Sequence, residues 1–398
     1  MAKLGNEKIS WIVSVVSCFF LSLVLAMATT SNEGSGKELE FEKLLKKLNK
    51  PAVKSIKSPD GDIIDCVPIL NQPVFDNPKL KNHKIQLRPT FYPKRSNVSK
   101  SNPIAQMWHQ SGSCPKGTVP IRRTTKEDIL RADSIKEFSI RRSLYSTEGH
   151  EYAVADLRGD RYYGAHASIN IWKPSVQESN EFSLSQIWIL NRDDPNNVES
   201  IEAGWQISQQ IYGDYNPRLF VFWTRDSYRN IRCYNLNCQP GFVQVDKKVA
   251  VRSSLQPSKY GGSQNVLSML IRKDPSSGNW WMQVGNTYVG YWPGSLFSRM
   301  STGASNVQWG GEIVNLRSNG QHTTTDMGSG YFPQEGYGKA SFFKELSIVD
   351  ANNNLVSPKN FGLIVTNRNC YDITSYAYSN DLGVYFYYGG PGRNPNCP

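Results

Sequence analysis

An all-β, antiparallel sandwich preceded by a small, mixed and basic unit is the fold class this sequence predicts, on three observations. From about Tyr152 onward, apolar and small polar residues alternate in run after run with no helical period. Turn chemistry divides those runs, as in Asp193-Asp194-Pro195, Asn216-Pro217, Asp274-Pro275 and Ser318-Asn319-Gly320. Charge is also uneven: residues 1–148 hold 24 Lys+Arg against 14 Asp+Glu, a balance of +10, whereas residues 149–398 hold 21 against 20.

Composition narrows the function classes. The chain has 398 residues, more than one compact core usually takes, and its 39% hydrophobic and 20% charged fractions are globular. The net charge of +11 invites a nucleic-acid reading, but the excess precedes the β region, which is nearly neutral, so nucleic acid is not an expected partner. One segment alone is apolar for long enough to concern a membrane, which excludes a multi-span protein.

That segment opens the chain. Lys3 and Lys8 precede an apolar run from Trp11 to Ala28, closed by Ala26-Met27-Ala28. This is the layout of a signal peptide cleaved after Ala28, leaving no stable membrane anchor and sending the chain to an oxidising compartment. Three segments follow as expectations: 1–28 signal peptide, 29–148 a basic unit, and 149–398 the β domain.

Within the basic unit, Phe41, Leu44, Leu45 and Leu48 recur at helical spacing until Pro51. A proline-rich stretch then runs from Cys66 to Tyr92-Pro93 and leads to the N-glycosylation sequon Asn97-Val98-Ser99. Thr124-Thr125-Lys126-Glu127-Asp128 before Ile129-Leu130 reads as a capping box opening a second short helix. The unit is expected to have little regular core of its own.

Cys18 leaves with the signal, and six cysteines remain: Cys66, Cys114, Cys233, Cys238, Cys370 and Cys397. Six allow about fifteen pairings, so connectivity stays open on sequence. Cys233 with Cys238 and Cys370 with Cys397 are the local combinations, leaving Cys66 for Cys114. No C-x-x-C, H-E-x-x-H or close histidine pair is present, so no metal or cofactor is expected, and the five histidines read as structural.

The expected strands are Ala165–Trp172, Phe182–Ile189, Arg218–Trp223, Val266–Arg272, Trp280–Tyr291, Phe342–Val349 and Val384–Tyr388. Two more carry acid. In Ser200–Ile207, alternation puts Ile201, Ala203, Trp205 and Ile207 on a core face and Glu202, Gly204 and Gln206 on the other. In Val307–Val314, Gln308, Gly310 and Glu312 share a face. Each glutamate thus stands beside glycine and glutamine, and glycine within a strand marks a close approach by backbone or ligand.

The Ile-Glu-Ala-Gly-Trp-Gln and Trp-Gly-Gly-Glu-Ile segments resemble those of the plant neprosin family. Its members are secreted glutamic endopeptidases, first associated with prolyl cleavage, with a β-sandwich catalytic domain. Ile64-Asp65-Cys66-Val67, Asn82-His83-Lys84-Ile85 and Cys114–Arg122 resemble the family's activation propeptide. The resemblance implies a catalytic pair at Glu202 and Glu312, disulfides Cys233–Cys238 and Cys370–Cys397, and a propeptide that inhibits its own enzyme. It also implies a peptide or protein substrate and an extracellular (apoplastic) or vacuolar location.

Two carboxylates a few ångströms apart are expected to share a proton over an acidic range: one activates water, while the other polarises the scissile carbonyl or protonates the leaving amine. Gln206 or Gln308 is the candidate amide at the developing oxyanion. Trp281 and Tyr288 are candidate flat faces for a proline ring. The basic unit is expected to lie over an acidic groove and to leave when acidification removes negative charge from the β domain, with processing between about Arg141 and Tyr152. Two other readings fit the same residues: a glycoside hydrolase using the same carboxylates, and a non-catalytic cell-wall or carbohydrate-binding sandwich.

Overall fold

A computed structural model describes residues 38–80, 83–92, 104–132, 149–238 and 240–398. The signal segment 1–28, the sequon asparagine Asn97 and the Arg141-Arg142 pair lie outside them. Two compact units divide the chain after Leu48. In the first, residues 38–48 form the expected amphipathic helix. The second spans Asn49–Pro398, so the boundary expected at residue 148 falls inside one compact unit rather than between two.

Residues 49–132 are more regular than their composition implied. Strands β1 (Lys54–Lys57), β2 (Ile63–Pro68) and β3 (Thr118–Arg122) form an antiparallel sheet. Ile56, Ile64 and Trp108 pack over it beside the Cys66–Cys114 disulfide, and Ala250 of the β domain joins the same cluster. Thr125 caps the helix Lys126–Leu130, its hydroxyl accepting from the Asp128 amide while the Asp128 carboxylate accepts from Thr125 N.

The β domain is a sandwich of two antiparallel sheets. One is built from β4 (His150–Tyr162), β6 (Ser183–Asn191), β7 (Glu199–Ile207), β8 (Arg218–Thr224), β9 (Arg232–Tyr234), β14 (Ala304–Val314) and β17 (Gly362–Val365). Its strand order is β17-β4-β14-β6-β7-β8-β9. The other sheet is built from β5 (Gly164–Asn170), β10 (Val243–Gln244), β11 (Val266–Lys273), β12 (Trp280–Val284), β13 (Thr287–Trp292), β15 (Ser341–Val349), β16 (Leu355–Val356), β18 (Asp372–Ile373), β19 (Ala377–Ser379) and β20 (Gly383–Gly389). Ile201, Ala203, Trp205 and Ile207 of the first sheet pack with Ile169, Met269, Trp280 and Phe386 of the second in one buried core. The period-two pattern had set these residues apart, because alternate residues of a strand face opposite sides. The run Trp280–Tyr291 is a hairpin rather than one strand, turned at Gly285-Asn286 with Gly285 at a φ of 55°. Disulfides also join Cys233 to Cys238 and Cys370 to Cys397.

Where residues 49–132 meet the sandwich, the charges run opposite to expectation. Across the contact, Asp62 and Asp128 of the N-terminal side meet the guanidiniums of Arg218 and Arg252 of the β domain, with Arg122 of the N-terminal side between the two aspartates. Asp62 accepts from Arg122 Nε at 2.6 Å and from Arg218 Nη1 at 2.6 Å, all three side chains being buried. Asp128 pairs with Arg122 at 2.8 Å and lies 3.5 Å from Arg252. At this contact the basic segment supplies acids rather than bases to the β domain. Excess Lys and Arg set the segment's net charge, but buried contacts need individual partners, and its few aspartates supply them.

Candidate active site

The two glutamates share one face of the first sheet, with β6 between them. Leu184 pairs with Gln206 on β7 and with Glu312 on β14. Gln186 pairs with Gly204 and Gly310, and Trp188 pairs with Glu202 and Gln308. Three strands by three rows thus form a grid whose diagonal corners are Glu202 and Glu312. The strands bearing them are two spacings apart, about 10 Å, and the rows differ by four residues along β6.

Glu202 is buried, 4% exposed, and held on every side. Its Oε1 accepts from Ser200 Oγ and Tyr228 Oη, each at 2.7 Å, and its Oε2 accepts from Gln186 Nε2 at 3.1 Å. Burial pushes its carboxyl up to about 7; the Ser200, Tyr228 and Gln186 bonds pull the other way, and the Glu312 charge adds to the rise. Glu312 is 6% exposed, and its Oε1 lies 2.5 Å from His150 Nδ1. The Tyr152 phenol also bonds to Glu312, and burial, then the charges of Glu312 and Glu202, keep that phenol protonated. The two carboxylates are coupled through space without bonding to each other. In the register of the sheet they stand on either side of β6.

The central glycines have a backbone reason. A Cβ on Gly204 meets Ser185 O at 2.0 Å, and one on Gly310 meets Ala153 O at 2.3 Å. The close approach is by neighbouring strands, and it lets the sheet coil tightly at the Gln186 row. Either glycine changed to alanine is expected to abolish folded protein, read as loss of soluble yield and of cooperative melting.

Gln206 and Gln308 occupy the other corners of the grid and are committed elsewhere. Gln206 Oε1 accepts from the hydroxyls of Tyr212 and Tyr234, and Gln308 Nε2 donates to Asp156 Oδ1 at 2.6 Å. Trp281 and Tyr288 do not join the site at all. They lie on β12 and β13, on the outer face of the second sheet, where Val74 and Leu80 pack over Trp281. These candidate flat faces for a proline ring thus stand on the sheet that does not carry the glutamates.

Four residues that sequence reading passed over belong to the site: His150, Tyr152, Gln186 and Tyr228. Gln186 had a legible signal, an amide alternating with Leu184 and Trp188 on one strand face. The expectation that all five histidines are structural is corrected at His150, which sits on Glu312. His83, His109, His166 and His322 bond to Tyr291, the Lys248 carbonyl, the Glu345 carbonyl and Glu151 respectively. Among the described residues, His322 groups with Cys370 and Cys397 at metal-ligand spacing, but a disulfide ties up both sulfurs.

The family model described as neprosin matches residues 179–391, and that described as neprosin activation peptide matches residues 55–156. Among solved structures, the chain is similar to scytalido-glutamic peptidase with a transition state analog inhibitor at 14% identity and a TM-score of 0.34, covering 60% of this chain and 97% of that one. It is also similar to SCP-B, a member of the eqolisin family of peptidases in complex with the tripeptide Ala-Ile-His. There the identity is 12% and the TM-score 0.32, with 60% of this chain and 96% of that one covered.

Proposed function

Because this chain belongs to the neprosin family and carries its activation peptide, we propose that it is the exported zymogen of a glutamic endopeptidase that cleaves at proline under acidic conditions. The observation that carries the reading is the pair of buried carboxylates on one sheet face, each with its own hydrogen-bond shell, flanking Gln186. Below about pH 7 the Glu202 carboxyl is neutral and serves as acid, polarising the scissile carbonyl and then protonating the departing amine. Glu312, oriented by His150 and Tyr152, takes the proton of the attacking water. Gln186 Nε2, already directed at Glu202, replaces Gln206 and Gln308 as the candidate amide at the oxyanion.

The experiment is a peptide-library digest across acidic to neutral pH, with cleavage sites read by mass spectrometry. Cleavage is expected after or before proline, with a rate that falls about tenfold per pH unit once the pH exceeds about 7, as Glu202 loses its proton. Tyr228→Phe removes a bond that favours the charged form of Glu202. It is therefore expected to move that alkaline limb to higher pH, and a limb that stays put counts against Glu202 as the acid. Processing is proposed on the N-terminal side of His150. His150 and Tyr152 already contact Glu312 from within β4, so a cut past Gly149 breaks the site it is meant to free.

A further inference from the structure

On the outer face of the second sheet, which does not carry the glutamates, residues 83–92 lie against the β domain through both main-chain and side-chain atoms: the Gln86 amide donates to Asp274 at 3.2 Å and accepts from Asn279 Nδ2 at 2.8 Å and Trp281 Nε1 at 3.4 Å, and His83 Nε2 lies 2.7 Å from Tyr291 Oη. Arg272 Nη2 donates to the Phe91 carbonyl. The Asp274 carboxylate accepts from Thr90 N at 2.5 Å and Thr90 Oγ1 at 2.6 Å, and Tyr291 Oη accepts from Gln86 N at 3.2 Å. Leu87, Phe91 and Tyr92 point their side chains outward, at 60%, 37% and 51% exposure, and Pro89 is the one buried residue between Gln86 and Tyr92. Tyr288 meets the Tyr92 ring edge-on with centroids 5.6 Å apart. Arg272 is 1% exposed, and its Nε and Nη1 are buried without partners.

A guanidinium, a carboxylate and a phenol that grip main-chain groups, an asparagine and an indole that hold the Gln86 amide, and a buried place for one proline form a reader of a bent, proline-containing segment. The residues reading it belong to the β domain, and the residues being read fall within the activation-peptide match. Once that peptide leaves, the reader is vacant. We infer that this face is a second polypeptide-docking site, which the activation peptide occupies in the proform and a proline-containing segment of substrate occupies afterwards. This use rests on the peptidase reading above. The binding itself needs no catalysis.

The test keeps the full chain and replaces Gln86–Tyr92 one for one by glycine and serine, vacating the face. A fluorescent peptide with the sequence of residues 83–92 is then titrated against it by anisotropy. It is expected to bind the vacated chain and not the parent, whose own segment competes at high effective concentration. Replacing Pro89 of the peptide by glycine, or Arg272→Gln or Tyr288→Ser in the chain, is expected to weaken binding at least about tenfold. Alanine at Leu87 and Arg88 of the peptide is expected to change it little. Equal binding to parent and vacated chains, or indifference to Arg272 and Pro89, overturns the inference. Should the vacated chain not fold, hydrogen exchange of residues 86–92 in the parent and in full-length Arg272→Gln decides: faster exchange in the variant supports the site, and unchanged exchange overturns it. In the matured enzyme, the peptide is expected to raise the KM for a long protein several-fold and spare a short peptide substrate. A chain that binds the peptide but cuts nothing defeats only the peptidase reading. One that cuts but never binds defeats only the docking site.

Discussion

Glu312→Gln and Glu202→Gln are each expected to lower kcat/KM on a proline-containing peptide by about 10²–10⁴-fold, the share that positioned acid–base groups supply. Glutamine keeps the volume and the acceptor oxygen, so Ser200 and Tyr228 retain a partner at position 202 and the sheet keeps its packing. What the amide cannot do is give or take the proton. Folding has a readout with its own sign. Burial raises the Glu202 carboxyl to about 7, so ionising it in the folded protein opposes stability as pH rises from the unfolded value toward 7. Glu202→Gln is therefore expected to melt at a higher temperature than the parent at pH 8 and near the parent at pH 4. Running each variant on a peptide and on a plant glycan side by side separates the readings. Loss on the peptide alone supports peptide-bond hydrolysis, loss on the glycan alone the glycosidase, and no activity in the parent the binding protein.

Breaking the buried ion network under the activation peptide should have the next largest effect. Asp62→Asn removes the charge that bridges Arg122 and Arg218, both nearly inaccessible to water. Leaving buried guanidiniums under-compensated costs about 3–5 kcal/mol. Arg122 keeps Asp128 and Arg218 keeps Asp214, so the lower end of that range is expected. The denaturant midpoint of the full chain should fall, and limited proteolysis should remove residues 49–132 faster than in the parent. An unmoved midpoint with unchanged proteolysis contradicts the network's anchoring role.

The same network sets how acid loosens the proform. Burial opposes the Asp128 charge, but Arg252 and Arg122 outweigh it and hold the carboxyl at about 2, below its ordinary 3.8. A depressed carboxylate contributes stability that is complete above its unfolded value and lost as pH falls toward the folded one. That contribution, roughly 2 kcal/mol, should therefore disappear between about pH 4 and pH 2. Melting of the full chain across this window, compared with Asp128→Asn, reads it directly: the difference between the two should close as the pH drops.

Much of the architecture was legible because the signals are local. Alternation within Ser200–Ile207 and Val307–Val314 sorted core residues from site residues correctly, since the period of two belongs to the strand itself. The capping box at Thr125 was legible for the same reason, as its partners sit three residues apart. Pairing was not local. Nothing in Val307–Val314 says that it lies between β4 and β6, more than a hundred residues upstream, and that insertion brings His150 and Tyr152 to Glu312, while the β6–β7 pairing brings Gln186 to Glu202. Trp281 and Tyr288 were misplaced by the same gap in information. Their aromatic character was legible, but the sheet they join was not.

By itself, the sequence determined the all-β class, the face each strand turns to the core, and the residue types able to exchange protons. All of these follow from spacing along one strand. The tertiary structure alone decided that β6 separates the two carboxylates, that a histidine and two tyrosines hold them, and that the aspartates of a basic segment anchor it to arginines of a neutral domain. Those outcomes depend on which strands become neighbours and which charges are buried together. Both are set by packing the whole chain at once, and no local window of residues encodes them.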